Sequence, residues 1–245
     1  MTMLREFSQA RLPASDDLTI DSVYPWGRSL AEYTAMFALS EEDLRLRIIA
    51  CADGPASFNA EMTGRGARVV SCDPLYRFSV EQIRGRIEKT ADLHIDRVRE
   101  NSHLFVWSQI RSPDELRRRR LQAMENFLAD FPDGLRAGRY LNQSLPNLQL
   151  TDGSFELALC SHFLFLYSHV FSMEFHLASI LEMSRVAREV RVFPLLDMGA
   201  QPSIHLIPVL QALRDRGLEA EVQKVPYEFQ RGGNQMLRVR NPGKP

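Results

Sequence analysis

Apolar runs long enough to cross a bilayer are absent from this sequence. None approaches the ~20 residues that a spanning helix needs, so no membrane association is expected. An excess of charge of one sign is also absent. The chain has 30 Lys and Arg against 31 Asp and Glu, a formal net charge of -1. That balance argues against a generally basic nucleic-acid binder, and nucleic acid is not an expected partner. Cysteine is scarce: Cys51, Cys72 and Cys160 are the three, with no Cys-x-x-Cys spacing. An odd, unpaired set suits a reducing compartment. The polar stretch Met1 to Asp17 lacks the charged, apolar and small-residue regions of a secretion signal. A cytoplasmic protein is therefore expected. No Gly-x-Ser-x-Gly, Walker loop or His-Glu-x-x-His occurs, which leaves acyl transfer, phosphoryl transfer and zinc hydrolysis without support. The dinucleotide pattern Gly-x-Gly-x-x-Gly is missing too, so a nicotinamide-dependent oxidoreductase fits poorly.

What is present is organised around Arg47 to Asp73. An apolar run, Leu46 to Cys51, reads as a buried parallel strand. It enters the tight turn Asp53-Gly54-Pro55. A helix of about two turns, Ser57 to Thr63, is stopped by Gly64 and Gly66. A second strand, Ala67 to Ser71, ends in Cys72-Asp73-Pro74. Strand, small turn, helix, strand and acid form the first half of a nucleotide-binding βαβ unit. The turn lets backbone N–H groups approach a ligand. Asp73 lies nineteen residues after Gly54, near the ~20 at which a strand-end carboxylate reaches a ribose.

These residues resemble the class I S-adenosylmethionine-dependent methyltransferases. The matching first motif is Ala50-Cys51-Ala52-Asp53-Gly54-Pro55-Ala56-Ser57-Phe58. It departs from the family pattern at Ala50, where an acid is usual, and at Ala52 and Ala56, where glycines are usual. Leu145 to Cys160, with Leu-Pro, Asp152-Gly153-Ser154-Phe155 and Glu156 ahead of a fourth strand, looks much more like the family. The resemblance runs in order over about Leu46 to Arg240. It implies an α/β fold: a Rossmann-like seven-stranded sheet, parallel with a C-terminal antiparallel hairpin, flanked by helices. It also implies S-adenosylmethionine as cofactor and methyl transfer to a small-molecule acceptor. The cofactor-binding residues it points to are Ala52, Asp53, Gly54, Pro55, Asp73, Pro74, Leu75, Asn142, Gln143, Ser144, Cys160 and Ser161. The departures in the first motif leave a second reading, a methyltransferase-like scaffold or cofactor-binding protein without activity. The acceptor and the oligomeric state stay open.

The remaining chain divides into residues 1–45, a leading segment over the site, and residues 46–245, the main domain. Met1 to Ser22 has no clear period and is expected to be loose. Ser29 with Glu32 forms a capping box, so a helix is expected from Leu30 to about Leu39. Tyr24, Trp26 and Tyr33 are candidate substrate-covering residues, with an aromatic cluster pinning the helix as the alternative. A helix capped by Ser79 and Gln82, a further stretch over Ala91 to Gln109, and a helix from Ser112 to about Asp130 make a helical insertion after strand 2, over residues 78–135. That last helix is expected to stop near Pro132. Its run Arg117 to Arg120 reads as a solvated surface. A fourth strand, Phe155 to Cys160, is followed by Ser161 to Tyr167 at the sheet edge that holds ligands. A helix over Met173 to Ala187, a fifth strand, and a helix over Ile204 to Arg216 with Ile204, Ile207 and Leu210 on one face come next. Leu218 to Phe229 and Asn234 to Arg240 pair as the hairpin. His162 is the candidate general base, because a histidine titrates near neutrality; packing is its alternative role. Tyr167 is a candidate substrate contact. His162, His169 and His176 recur every seven residues, the wrong spacing for a helical metal site, and no metal is expected.

Overall fold

The computed structural model of the chain describes residues 24–243. The expected loose segment over Met1 to Ser22 lies outside the described residues. The strands are β1 Arg47–Cys51, β2 Arg68–Cys72, β3 Tyr140–Leu141, β4 Phe155–Ser161, β5 Ala187–Phe193, β6 Glu219–Lys224 and β7 Gln235–Arg240. They form one sheet in the order β3-β2-β1-β4-β5-β7-β6. β1 to β5 run parallel, and β7 is antiparallel to both β5 and β6. This is the seven-stranded Rossmann-like sheet with a reversed last strand. The order reverses between β1 and β4, so the crevice for a ligand lies at their C-terminal ends. In β1 only Arg47 is exposed and Ile48 to Cys51 are buried, because helices cover both sheet faces.

The helices are α1 Leu30–Met36, α2 Phe58–Gly64, α3 Val80–Glu100, α4 Pro113–Arg136, α5 Met173–Val186 and α6 Leu206–Arg214. Both capping boxes form: Ser29 with Glu32 at α1 and Ser79 with Gln82 at α3. α1 ends at Met36 rather than Leu39. α3 is one helix that stops at Glu100, so Phe105 to Gln109 is not helical. Phe105 instead stacks on Phe229, 4.8 Å between centroids, and Trp107 meets the same ring edge-on. This aromatic contact with the β6–β7 loop outcompetes local helix propensity. α4 runs through Pro132 to Arg136. Phe127 and Phe131 are buried on Tyr76 and Tyr140, and a Cβ on Gly134 would lie 2.2 Å from the Tyr140 ring. That packing holds the last turn despite the missing proline donor. The helix after β5 is shorter than expected. Val209, Leu210 and Leu213 form its buried face, while Ile204 and Ile207 are exposed.

α3 and α4 lie antiparallel, laced by Arg84–Glu125, Arg117–Asp92 and Arg99–Asp114 on their surface. The arginine run is not uniformly solvated. Arg120 has 1% side-chain exposure and pairs with Glu32 of α1 at 2.5 Å. Tyr227, in the β6–β7 loop, donates to the other Glu32 oxygen at 3.1 Å. One carboxylate thus joins the leading helix, α4 and the hairpin loop. The three cysteines are buried neighbours: Cys51 is level with Cys72 on one side and Cys160 on the other.

Removing one partner of a buried pair strands the other charge. Glu32→Ala is expected to lower the unfolding free energy by about 3–5 kcal/mol, read from urea midpoints. Glu32→Leu combined with Arg120→Met is expected to recover most of that loss. Equal costs in the single and double variants would show that the pair is not what holds the three elements.

Candidate functional site

A cavity of about 270 Å³ opens at the C-terminal ends of β1, β2 and β4. Its floor is the loop after β1. Backbone geometry there is tightly specified. Ala52 and Gly54 both take the left-handed conformation, with φ of 53° and 54°. Ala52 therefore holds a turn that glycine would adopt freely, at a cost of about 1–2 kcal/mol. Ala52 N–H donates to the Cys72 carbonyl at 2.8 Å. Tyr76 donates its hydroxyl to the Gly54 carbonyl at 2.8 Å. Gly27 of the leading segment lies against Pro55, where a Cβ would meet the Pro55 oxygen at 2.0 Å. Only glycine lets the segment run this close to the loop.

Two carboxylates meet at this floor. Asp73 ends β2 and accepts from Gly54 N–H at 3.0 Å and from Leu75 N–H at 2.7 Å. It is thus a cap for the short helical turn Pro74–Arg77 as well as a cavity residue. Each oxygen has one protein donor, and a carboxylate offers about four acceptor positions, so a further pair of donors has room. Asp53 is more enclosed, at 6% exposure. Its oxygens accept from the Tyr33 hydroxyl and from Ser71 Oγ, the latter at 2.6 Å. Tyr33 stacks on Phe58 with centroids 4.4 Å apart, so α1 and α2 fix the donor together. Burial lifts Asp53 to about 7, opposed by those hydrogen bonds, and lifts Asp73 to about 6. Neither carboxylate has a cationic partner among the described residues.

The cavity brings together Ala52, Asp53, Gly54, Pro55, Asp73, Pro74, Leu75, Gln143, Ser144, Ser161, His162, Tyr24, Trp26, Tyr33 and Tyr167. Two expected residues lie elsewhere. Asn142 faces the neighbouring groove with Arg77 and Asn147, because the chain turns inward only at Gln143. Cys160 is wholly buried in the core on the other side of the strand. Tyr33 reaches the cavity wall at 2% exposure, with its hydroxyl engaged by Asp53. His162 has φ of 51° and its Nδ1 is 2.9 Å from Ser161 Oγ. Burial, with Arg28 and Arg120 adding to it, holds its imidazole well below the usual range. A lowered imidazole is a weak base, which favours hydrogen bonding over proton removal. His169 pairs with Asp197 at 3.0 Å and His176 meets the His205 ring at 4.8 Å; neither lines this cavity.

Sequence reasoning missed Arg28. It lines the cavity beside the aromatic wall. Nη1 donates to the Trp26 carbonyl at 3.3 Å, and Nε is buried without a partner. Burial, followed by repulsion from Arg120, lowers the guanidinium to about 10. Nothing in a lone arginine before a capping box signals this. Tyr24 and Trp26 pack on His94 of α3, with centroids 5.6 and 4.8 Å apart.

No known protein-family profile matches the chain. The chain is 31% identical over 217 residues to the uncharacterized protein MJ0045 of Methanocaldococcus jannaschii, covering 87% of this chain and 94% of that protein. Among solved structures, a magnesium protoporphyrin IX methyltransferase from Synechocystis with bound SAM is similar at 14% identity and a TM-score of 0.45. That match covers 98% of this chain and 91% of the other. The N-methyltransferase NodS from Bradyrhizobium japonicum, in complex with S-adenosyl-L-homocysteine, is similar at 13% identity and a TM-score of 0.44, with 97% of each chain covered.

Because Asp53 and Asp73 titrate above the ordinary carboxylate range, the folded chain keeps protons there that the unfolded chain has released. Their contribution to stability therefore falls as pH rises from about 4 through about 7. Asp53→Asn is expected to gain on the wild type by about 1–3 kcal/mol between pH 5 and pH 8, measured by denaturant unfolding at each pH. A constant difference across that window would refute the assignment.

Proposed function

The chain belongs to the same family as the archaeal protein MJ0045, and we propose that it is an S-adenosylmethionine-dependent methyltransferase acting on a small molecule. The observation that carries this reading is the loop Ala52–Pro55 and the Asp73 carboxylate meeting around one cavity at the β1–β2–β4 edge, in a sheet with a reversed last strand. The donor set fits the cofactor. Asp73 has acceptor capacity for the two ribose hydroxyls. Asp53 is a buried carboxylate with no cation beside it, and a ligand ammonium would relieve that. Gln143 and Ser144 offer amide and hydroxyl groups to the adenine. When bound, the cofactor would supply an activated methyl group on sulfur.

The protein's own work is then alignment and exclusion of water. The leading segment, through Tyr24 and Trp26, closes over the cavity and rests on α3 of the 78–135 insertion. The acceptor would lie beneath it, against Tyr167 and beside His162. A neutral imidazole there orients an acceptor hydroxyl or amine by hydrogen bonding. A cytoplasmic setting belongs to the same proposal. The second reading, a scaffold that keeps the fold without turnover, is favoured by one feature: Asp73 already caps Leu75 and Gly54.

Calorimetry with S-adenosylhomocysteine separates the two readings, since no binding at millimolar ligand would favour the scaffold. Asp73→Asn keeps a capping oxygen and loses the charge. It is expected to raise the dissociation constant at least tenfold, about 1.4 kcal/mol or more, with a stability loss of about 1 kcal/mol for the one backbone N–H that loses its acceptor. Asp73→Ala would in addition lose about 1 kcal/mol of capping. An unchanged dissociation constant in Asp73→Asn would remove the ribose assignment.

A further inference from the structure

The cavity has two chemically different ends. At the β2 side stand Asp73 and the small turn after β3, represented by Gln143 and Ser144. At the β4 side stand His162, Phe163 and Tyr167, roofed by Tyr24 and Trp26. Arg28 belongs to the second end. Its charge is felt at His162 and Tyr167, the residues that follow β4.

This guanidinium has no ion-pair partner of its own; the field of Glu32 offsets its burial only in part. Among the described residues no carboxylate lies within ion-pair distance of it. The nearby Glu32 is committed to Arg120 and Tyr227. One weak bond to a backbone carbonyl serves five N–H donors, and Nε is shut off from water. A buried donor without an acceptor costs roughly what a lost hydrogen bond costs, and more when it is charged. Such a group is retained where a ligand completes it, and a planar fork matches a carboxylate best. The walls around it are flat rings, which favour a flat partner by stacking.

We propose that Arg28 receives an oxyanion of the methyl acceptor, and that the acceptor is a small aromatic acid lying between Trp26 and Tyr167. The proposal rests on the methyltransferase reading of the same cavity. The carboxylate of the cofactor's own methionine is the competing source of the same chemistry, and the two are separable. In the cofactor case the contact would serve S-adenosylhomocysteine. In the acceptor case it would serve a second ligand that binds beside it.

The test uses the full chain and calorimetry with benzoate, salicylate and indole-3-carboxylate, each against its carboxamide, with and without saturating S-adenosylhomocysteine. At least one acid is expected to bind tenfold or more tightly than its amide. Arg28→Met is expected to erase that preference while changing the affinity for S-adenosylhomocysteine less than threefold. Arg28→Lys, which keeps the charge without the fork, is expected to retain part of the preference, and it carries the comparison if Arg28→Met does not fold. Equal binding of acids and amides, or no binding of either, would overturn the proposal. So would a tenfold loss of S-adenosylhomocysteine affinity in Arg28→Met with 5′-methylthioadenosine, which lacks the amino-acid end, unaffected. If S-adenosylhomocysteine binds to no variant while an acid still binds through Arg28, the cofactor reading falls and the oxyanion site stands.

Discussion

The buried Glu32–Arg120 pair is the constraint on which the site depends. Glu32 caps its own helix at Ser29, meets Arg120 from α4, and accepts from Tyr227 in the hairpin loop. Three segments far apart in sequence are thus fixed to one carboxylate. Desolvation works against the charged form, yet Glu32 is held down to about 2, chiefly by Arg120. Once α1 is fixed in this way, Tyr33 is in place to hold Asp53, and Gly27 lies flat on Pro55. Arg120 also sits over the Trp26 ring, 5.9 Å from its centroid, which sets the roof of the cavity. A pair of this kind adds little net stability against an apolar replacement. Its effect is to select one arrangement of leading segment, α4 and hairpin.

Much of the fold was legible because parallel strands buried on both faces are short apolar runs. Arg47–Cys51 and Phe155–Ser161 are of that type, and the glycines and acids beside them mark their ends. Caps were legible for a local reason: Ser29, Ser79 and Ser112 each bond three residues ahead. The helix boundaries that went astray were decided by distant partners. Phe105 leaves the helical path for Phe229, and α4 passes Pro132 because Tyr140 and Tyr76 hold its final turns. The cavity's acids and turn could be read from spacing. Arg28 and Arg120 could not, since burial of one residue among four consecutive arginines depends on which helix face meets α1. Asn142 and Cys160 show the opposite limit. Each lies within one residue of a cavity residue, yet a single step along extended chain turns a side chain away.

The two carboxylates leave the cavity floor electrostatically unbalanced by protein groups alone. Asp53 and Asp73 sit in a floor built from backbone and hydroxyl donors, with no cation opposite, and burial raises both. At the other end Arg28 is a cation without an ion-pair partner of its own, because the nearby Glu32 is bonded to Arg120. Opposite charges kept apart across a cavity, when pairing would neutralise them, leave two unsatisfied fields for a ligand to complete. A dipolar or two-part ligand suits that arrangement better than a uniformly charged one.

Backbone strain is concentrated where the chain leaves the two central strands. Ala52 and His162 both hold left-handed φ without being glycine, and each such residue costs of the order of 1–3 kcal/mol. They follow β1 and β4, the two strands on either side of the point where sheet order reverses. Elsewhere among the described residues, left-handed non-glycines are confined to Ala38 and Ala200, outside the cavity lining. A fold kept only as a scaffold has no need of two strained turns facing one crevice, because relaxing either would release that energy. The surrounding contacts instead over-determine them, through Cys72 for Ala52 and Phe193 for His162. Strain concentrated on both lips of the crevice, and bonded into place, fixes the backbone that each strand end presents to the cavity.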